Sequence, residues 1–355
     1  MMRYMRCIFY ELGAQERKQM ITTRELARLA GVSQSTVSRS LSDSHEISAE
    51  TKERIRNLAK EHGYIVRKSK KKIYATSERK VIAVLISEKD EMDAYLVELY
   101  NIIVSCVTKE NYFPMLLSGS DESILEKVHD FTRAGLVEGY IVIKRMFDPQ
   151  VERYLADLKI PHVYLHYFER YSLETIDVID SDQYLGGYLA TQHLIGLGHK
   201  KILTLTSKGR EFGDRTSGYR EAMREADLNV TDDDVVFIPR TIDGGYEYIM
   251  EHAGIEKQYT AVFVQNDTSA LGCISALGDR GVKVPEEISV IGYDGIEHGR
   301  ICRPKLTTVD QMQNKLCTLT VERLLHRIDR KKDNAIHMIV QPSLLIREST
   351  GRAPE

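Results

Sequence analysis

The chain has 355 residues, of which 42% are hydrophobic and 28% are charged, and its formal net charge is -3 at pH 7. This length allows two or three domains with buried cores, and the composition excludes a largely disordered chain. No apolar run approaches the roughly 18 residues of a membrane-spanning helix, and the first apolar stretch, at 7–10, is too short for a signal peptide.

Charge is distributed unevenly along the chain. Residues 20–72 contain 12 Lys and Arg against 6 Asp and Glu, a net charge of +6, whereas residues 73–355 carry a net charge of -11. A basic segment ahead of an acidic body predicts contact with a polyanion at one end only. The five cysteines are scattered without a CxxC pair, which predicts reduced thiols in a cytoplasmic protein.

Residues 22–64 predict three short helices. Thr22 and Glu25 form a capping-box pair, so a helix is expected to begin directly after Thr22. The turn at 31–33 ends this helix, and Ser33 is placed to cap the next one. The apolar stripe of the first helix is expected to comprise Leu26, Leu29 and Ala30. This arrangement is a helix-turn-helix pattern.

The second helix, predicted at 34–41, buries Val37 and Leu41 and turns its polar side chains outward. Gln and Arg read base edges as bidentate partners, and Ser is an adaptable one. We expect base contacts from Gln34, Ser35, Ser38 and Arg39. We also assign supporting DNA contacts to Thr22, Ser33 and Thr36. The contact of Thr36 is expected on phosphate. A third helix is predicted from the cap Ser48 to the stop Gly63, and its inward side chains are Ile55, Leu58 and Ala59.

The sequence of this segment is similar to the DNA-binding headpiece of the lac repressor (LacI/GalR) family. The runs AGVS at 30–33, TVSR at 36–39 and IS at 47–48 follow the family pattern. The alternative is an ordinary helical bundle with a solvated charged surface. The resemblance implies a domain at 20–65, preceded by an extension at 1–19.

A basic linker, predicted at 66–79, follows the headpiece. The resemblance implies a hinge helix that inserts an apolar side chain into the minor groove, and Ile73 is the candidate for that role. Val66 replaces the usual proline, and three lysines replace residues that favour the helix. Neutralisation of phosphates by the linker lysines is therefore the simpler expectation, and a solvated tether is the alternative.

From residue 80 onward, short apolar runs alternate with helical stretches. Strands are predicted at 81–86, 114–118, 139–143, 162–165, 201–206, 261–264 and 289–293. Helices are predicted at 96–109, 186–196, 218–226 and 268–281. This alternation favours parallel sheets covered on both faces, and the length of the body predicts two α/β subdomains.

The body resembles the effector-binding domain of the same family, which is similar to periplasmic sugar-binding proteins. The resemblance depends on five motifs: DQYLGGYLATQHL at 182–194, RTSGY at 215–219, ND at 266–267, IGYD at 291–294 and PKLTTV at 304–309. The resemblance implies two doubly wound subdomains in a body at 80–350, with crossovers near Ile179, Thr307 and Gln341. The subdomains are expected at about 80–179 with 308–340 and about 180–307 with 341–350.

Polar residues follow several predicted strands, where open parallel sheets bind ligands. These are Ser87, Lys144, His166, Arg215, Asn266 and Asp294. The resemblance assigns ligand contacts to Arg215, Asn266 and Asp294, and we include Gln311 in the predicted site. Tyr95, Phe147 or Phe212 is expected to supply an apolar wall. Planar Asn, Asp and Arg groups suit neighbouring sugar hydroxyls.

Each of these residues also has a structural interpretation. Asn266 and Asp294 are common turn formers, Arg215 fits a buried ion pair, and His166 fits an ordinary loop. Lys144 and Arg145 would suit an acidic or phosphorylated sugar, but a solvated charge pair is the simpler interpretation.

The sequence contains no Walker A, GxGxxG, GxSxG or HExxH motif, so no enzyme, metal or cofactor is predicted. We predict a repressor-type transcriptional regulator that binds palindromic operator DNA as a homodimer and responds to a carbohydrate-like effector. Control by a protein corepressor is the alternative, and a solute-binding protein is disfavoured by the headpiece. The sequence leaves open whether effector releases DNA or promotes binding.

Overall fold

A computed structural model describes residues 22–41, 44, 47–61, 80–87, 93–143, 154, 155, 157, 160–166, 176–329 and 334–354. The chain divides into two compact units, residues 1–78 and residues 79–355. Several predicted features lie outside the described residues. They are the helix stop Gly63, the linker at 66–79 with Ile73, and the site candidates Lys144, Arg145 and Phe147.

The described residues of the first unit form three helices in the predicted order. These are α1 (Thr23–Ala30), α2 (Gln34–Leu41) and α3 (Ala49–Glu61). The predicted capping box is confirmed, since the Glu25 amide donates to the Thr22 hydroxyl and the Glu25 carboxylate accepts from the Thr22 amide at 2.7 Å. Gly31 ends α1 in the left-handed conformation, with φ of 64°. Local capping chemistry therefore fixes where α1 begins and ends.

The core of this unit differs from the prediction in α1, where Ala27 is buried and Leu29 is not. It consists of Leu26, Ala27, Ala30, Val37, Ile55 and Ala59. Leu29 is 48% exposed, so its placement in the core was wrong. Successive helical residues are about 100° apart, which centres the buried arc on Leu26, Ala27 and Ala30 and leaves Leu29 at its edge.

The second unit contains twelve strands among its described residues. They are β1 (Val81–Ser87), β2 (Phe113–Gly119), β3 (Val137–Ile143), β4 (His162–Leu165), β5 (Asp177–Ser181), β6 (Ile202–Thr206), β7 (Val235–Phe237), β8 (Ala261–Val264), β9 (Ser289–Asp294), β10 (Thr307–Asp310), β11 (His337–Val340) and β12 (Ser343–Leu345).

Its described helices cover both faces of the sheets. They are α4 (Ala94–Lys109), α5 (Asp121–Arg133), α6 (Gln183–Gly196), α7 (Arg210–Glu225), α8 (Ile242–Glu251), α9 (Ile255–Gln258), α10 (Asp267–Asp279), α11 (His298–Ile301) and α12 (Gln313–Asp329).

Two six-stranded sheets define two lobes. The first lobe has the strand order β11-β5-β4-β3-β1-β2 with helices α4, α5 and α12, and the second has the order β12-β10-β9-β8-β6-β7 with helices α6 to α11. The described pairings are parallel except that of β10 with β12. The predicted body of two α/β subdomains, each built on a mainly parallel sheet, is confirmed.

Both faces of each sheet are buried, as the apolar strand sequences require. On β1, Ile82, Val84 and Ile86 belong to one core cluster, whereas Ala83 and Leu85 belong to the cluster on the opposite face. Two further clusters cover the faces of the second sheet. The strands can therefore be almost continuously apolar without exposing a large apolar surface to solvent.

The chain passes between the lobes three times, and two passages lie later than expected. Ile179 is inside β5 of the first sheet, so the first crossover follows Ser181. Thr307 begins β10 of the second sheet, so the second crossover is near Gln311. The third crossover, near Gln341, lies between β11 and β12 as predicted.

Several elements lie outside the predicted ranges. They are β5, β7, β10, β11, β12, α5, α8, α9, α11 and α12. The most consequential difference is in α7, which begins at Arg210 and not at 218. Arg215 therefore lies within a helix, and its predicted position in a loop was wrong. Ser87 and Asp294 end their strands, whereas the prediction placed both after them.

Candidate functional site

The exposed face of α2 presents the polar residues predicted to read bases. Gln34, Ser35, Ser38 and Arg39 are exposed, whereas Val37 is fully buried beneath them. Helical periodicity explains this division, since Val37 turns toward α1 and α3. The result is a short helix with a continuous polar surface that fits the width of a DNA major groove.

Hydroxyl groups organise the start of α2. The Ser33 hydroxyl accepts the amide of Thr36 at 3.1 Å and lies 2.9 Å from the Thr36 hydroxyl and 2.7 Å from that of Ser35. The amino terminus of α2 therefore combines capped backbone amides with exposed hydroxyls, which suits contact with phosphate. Thr22 is also exposed, and its side chain takes part in the capping box of α1.

In the second unit, Arg215 occupies the centre of a buried polar network and is 4% exposed. Its Nε donates to Gln183 Oε1 at 2.8 Å, and an Nη donates to the carbonyl oxygen of Gln265. The other Nη lies 3.6 Å from Asp294 Oδ1. The guanidinium is stacked between the rings of Phe212 and Tyr293. Phe212, predicted as an apolar wall, thus supports the arginine.

Close helix packing brings Arg215 to this position. A Cβ added to Gly187 on α6 would lie 2.1 Å from the carbonyl oxygen of Arg215, and one on Gly218 would lie 2.1 Å from that of Tyr184. The two glycines let the backbones of α6 and α7 approach each other. Gln183, the first residue of α6, consequently reaches the guanidinium.

The predicted residues Asp294 and Gln311 complete this network. Gln311 Nε2 donates to Asp294 Oδ1 at 2.7 Å, and its Oε1 accepts from Gln183 Nε2 at 2.9 Å. Asp294 has φ of 124°, a conformation that is rare for a residue with a side chain. Such backbone strain is frequent at ligand sites. Two crossover segments, those of Gln183 and Gln311, are therefore joined directly at the site.

A second polar group lies at the carboxyl end of the first sheet. The Tyr95 hydroxyl is 2.6 Å from His166 Nε2, and His166 Nδ1 is 3.0 Å from Asp180 Oδ1. A carboxylate accepts only, so the imidazole donates from Nδ1 to Asp180, and its Nε2 shares the second hydrogen bond with the hydroxyl of Tyr95. All three side chains are buried, and so is the nearby strand end Ser87.

The two polar groups are within electrostatic range of each other. Burial raises the pKa of Tyr293, which Arg215 opposes, while the carboxylates of Asp294, Asp182 and Asp180 raise it further. Asp180 of the first lobe is therefore within electrostatic range of Tyr293 in the second. An ion pair also joins the lobes, since Arg240 Nε lies 3.8 Å from Asp93 Oδ2. Neither Arg240 nor Asp93 was predicted for the site.

Asn266 lies at the same edge of the second sheet, 3% exposed. Its Oδ1 accepts the amide of Ser269 at 2.8 Å and caps α10, so the turn-forming interpretation is correct for this oxygen. Its Nδ2 is buried without a hydrogen-bond partner among the described residues. An orphaned buried donor is costly, at about 1–3 kcal/mol, and a ligand oxygen would satisfy it.

Asp267, the next residue, is buried beneath Asp294. Its oxygens accept from the Thr308 hydroxyl at 2.6 Å and from the amides of Gly295 at 2.8 Å and Ile296 at 2.9 Å. Burial, reinforced by the charge of Asp294, raises the pKa of Asp267 to about 7. This carboxyl group therefore fixes the backbone that follows Asp294.

The structure thus places most predicted effector residues in two buried polar networks. One network contains Arg215, Asp294 and Gln311. The other contains Tyr95 and His166. Asn266 caps α10 in the second lobe. The prediction missed four contributors to these networks and to the backbone that follows Asp294. They are Gln183, Gln265, Asp180 and Asp267. Gln183 lies within the motif at 182–194 and Gln265 directly precedes the motif at 266–267, which was the available signal.

The side chains of these two networks have the chemistry of a binding site. Planar amide, guanidinium and carboxylate groups supply paired donors and acceptors, with aromatic rings behind them. Among the described residues, no group of three or more His, Cys, Asp or Glu side chains is placed to hold a metal ion. None of the described helices is long and apolar enough to cross a membrane.

Comparison with protein families gives two matches along the chain. Residues 22–66 match the family described as bacterial regulatory proteins, lacI family. Residues 191–350 match the periplasmic binding protein-like domain. The two matched regions correspond to the helix-turn-helix unit and to much of the two-lobed unit.

Curated relatives match over almost their whole length. The HTH-type transcriptional repressor PurR of Histophilus somni strain 129Pt is 30% identical over 339 residues, covering 93% of this chain and 99% of the relative. The repressor of the same name from Vibrio campbellii is 31% identical over 339 residues, with 94% and 99% covered.

Solved structures match both the fold and the sequence. The complex of the transcriptional regulator CelR with cellobiose superposes with a TM-score of 0.68 at 25% identity, covering 93% of this chain and 99% of that one. A LacI family regulator from Enterococcus faecium with bound ribose has a TM-score of 0.67 at 26% identity, with 77% and 99% covered.

Proposed function

Because this chain belongs to the lacI family of bacterial transcriptional regulators, we propose that α2 reads operator bases and that the cleft between the lobes binds a carbohydrate-like effector. The relatives are DNA-binding repressors and not enzymes. Assignment of individual residues to operator and effector is part of the proposal.

The proposed DNA contacts come from the exposed side of α2. Gln34 and Arg39 offer bidentate groups for base edges, and the hydroxyls of Ser33, Ser35 and Thr36 suit phosphate. One such helix covers too few base pairs for selectivity, so we infer a homodimer on a palindromic operator. Footprinting should show two symmetric half-sites, and sedimentation should give twice the mass of the chain. A protected site without symmetry would contradict the inferred arrangement.

A single observation carries the effector assignment, namely the buried network of Arg215, Asp294 and Gln311. Three planar polar side chains converge there, and one of them, Asp294, has a strained backbone. Arg215 and Asp294 form a loose ion pair, with an Nη 3.6 Å from Oδ1 and thus beyond hydrogen-bond distance. Adjacent hydroxyls of a sugar can bridge such a pair, accepting from the guanidinium and donating to the carboxylate.

The ligands of two structural relatives support a carbohydrate-like compound. Their structures contain cellobiose and ribose respectively. Both compounds carry neighbouring hydroxyls that match the paired donors and acceptors of the cleft. We therefore propose a sugar or sugar derivative, while its identity is a matter for direct screening.

A thermal-shift screen of the full-length protein tests this assignment. Sugars, sugar phosphates, uronates and nucleobases should be compared, because a ligand of the folded state raises the melting temperature. R215A should abolish the shift that wild type shows. Arg220 is on the same helix but 43% exposed, paired with Asp232, so R220A is the matched control and should respond like wild type.

The outcome that would overturn the assignment is equally specific. If R215A and R220A both retain the wild-type shift, the effector binds elsewhere. If only nucleobases shift the wild-type melting temperature, the cleft serves a ligand of another chemical class and the carbohydrate proposal fails.

A further inference from the structure

Helix α4 of the first lobe contacts the second lobe through two carboxylates. Asp93, which caps α4, lies 3.8 Å from Arg240 Nε. Glu98, in the second turn of α4, accepts the backbone amide of Glu297 at 2.8 Å. One helix therefore contacts two separate segments of the opposite lobe, before α8 and after β9.

The segment contacted by Glu98 is the one that carries Asp294. The amides of Gly295 and Ile296 donate to Asp267, a residue of their own lobe. The next amide, that of Glu297, donates across the cleft to Glu98. Three consecutive amides are thus held by two carboxylates, the first two amides by Asp267 of the second lobe and the third by Glu98 of the first.

Gln313 of the first lobe contacts the same segment at a second point. Its Nε2 donates to the carbonyl oxygen of Asp294 at 3.1 Å. Gln313 begins α12 and lines the same cavity as Glu98. Two side chains of the first lobe, Glu98 and Gln313, therefore hold the backbone between Asp294 and Glu297.

We propose that Glu98 is a positioning residue that couples the relative position of the lobes to the conformation of the Asp294 segment. The inference rests on the proposed function, because it assumes that Asp294 contacts effector. When the lobes separate, the Glu297 amide loses its acceptor and the strained backbone at Asp294 is released. When they close, Glu98 restores the geometry that Asp294 needs for binding.

Two physical features favour this role over a passive surface contact. A hydrogen bond to a carboxylate is stronger than one between neutral groups, and partial burial reduces its screening by water. A cavity of about 450 Å³, lined by Glu98, Asn101 and Glu297 among others, borders the contact. The segment therefore has space to move when the contact is broken.

Distance measurement between spin labels on the two lobes tests the proposal without any effector. Labels at E126C on α5 and E251C on α8 use two exposed positions. Cys7, Cys106 and Cys302 are replaced by Ser, and labelled full-length protein is diluted with unlabelled protein to suppress distances between subunits. The variants are E98A, E98Q and N101A, the last being an exposed neighbour on α4.

We expect E98A to shift or broaden the interlobe distance by several ångströms, as hinge motion would. E98Q retains an acceptor oxygen for the Glu297 amide and should restore the wild-type distance, and N101A should not alter it. Melting temperatures of all variants show whether the lobes remain folded. An E98A distance distribution equal to that of wild type would overturn the proposal.

Effector affinity provides the second arm, using a compound that shifts the wild-type melting temperature. E98A should bind that compound roughly 5- to 150-fold more weakly, the usual range of coupling between sites. Equal affinity in E98A and wild type would also overturn the inference. Absence of any such compound would count against the proposed effector site, whereas the distance arm would still decide the role of Glu98.

Discussion

The guanidinium carbon of Arg215 lies 3.7 Å from the centroid of the Tyr293 ring, nearly in contact with its face. Phe212 flanks the same group, with its ring centroid 4.9 Å away. Stacking restricts rotation of the guanidinium plane, so its edge stays directed at Gln183 and Asp294. The aromatic rings therefore orient the arginine, while the glutamines fix its distance from the carboxylate.

Replacement of Arg215 by Lys should abolish the effector response although positive charge is retained. Lysine lacks the planar fork that contacts Gln183 and Gln265 together, and it cannot stack in the same way. We expect effector affinity to fall by at least about tenfold in calorimetry, since each hydrogen bond lost from a charged group costs about 1.5–3 kcal/mol. Operator affinity without effector should stay unchanged. A lysine variant with wild-type effector affinity would show that the fork geometry is irrelevant.

Two glycines of α6 should respond in opposite ways to alanine. G187A places a methyl group against the carbonyl oxygen of Arg215, whereas a Cβ at Gly196 meets nothing within 4 Å. We expect G187A to destabilise the two-lobed unit by about 1–3 kcal/mol through overpacking. G196A should be neutral or stabilising by up to about 1 kcal/mol, because alanine favours helix. Chemical denaturation of both variants measures this contrast. Equal stability of the two would contradict the close approach of α6 and α7.

Arg39 should determine operator selectivity. R39A removes a bidentate group from the exposed face of α2, and each such base contact contributes about 1–3 kcal/mol of discrimination. Affinity for a selected operator should fall roughly 5- to 150-fold, while affinity for random duplex falls less. Competition binding at fixed salt makes this comparison. N57A, an exposed change on α3, serves as the control. A uniform loss on both DNAs would assign Arg39 to phosphate contact.

Acid should destabilise the two-lobed unit through buried histidines. His199 Nε2 donates to the carbonyl of Gly351 at 3.0 Å and Nδ1 lies 2.9 Å from the Thr260 hydroxyl. Burial lowers the pKa of His199, and it lowers the pKa of His193 as well. As pH falls below about 6.5, these histidines become protonated in the unfolded chain, whereas in the folded chain they become protonated only at lower pH. The free energy of unfolding therefore decreases as pH falls.

Melting temperature measured between pH 8 and pH 5 tests this dependence. H199N should flatten the decline below about pH 6.5, since the titrating group is removed. H129N, at an exposed position on α5, should leave the wild-type profile. If H199N reproduces the wild-type decline, other groups cause the acid sensitivity.

The polar cleft shows where sequence patterns stop being informative. Local signals placed Asn266 and Asp294 near the ends of strands, because turn and strand chemistry act over a few neighbouring residues. They failed for Arg215, whose helix begins with the polar run REFGD and lacks apolar periodicity. They also missed Gln183 and Gln265, since amide side chains become recognisable as site residues only through their distant partners.

The sequence by itself determined the capping box of α1, the division of α2 into buried and exposed faces, and the apolar strands of two covered sheets. Each of these features depends on residues close together in the chain. Only the tertiary structure decided that Gln183 meets Gln311, 128 positions away, and that Glu98 meets the amide of Glu297, 199 positions away. Such contacts depend on how three crossovers bring the lobes together, and no local propensity encodes that arrangement.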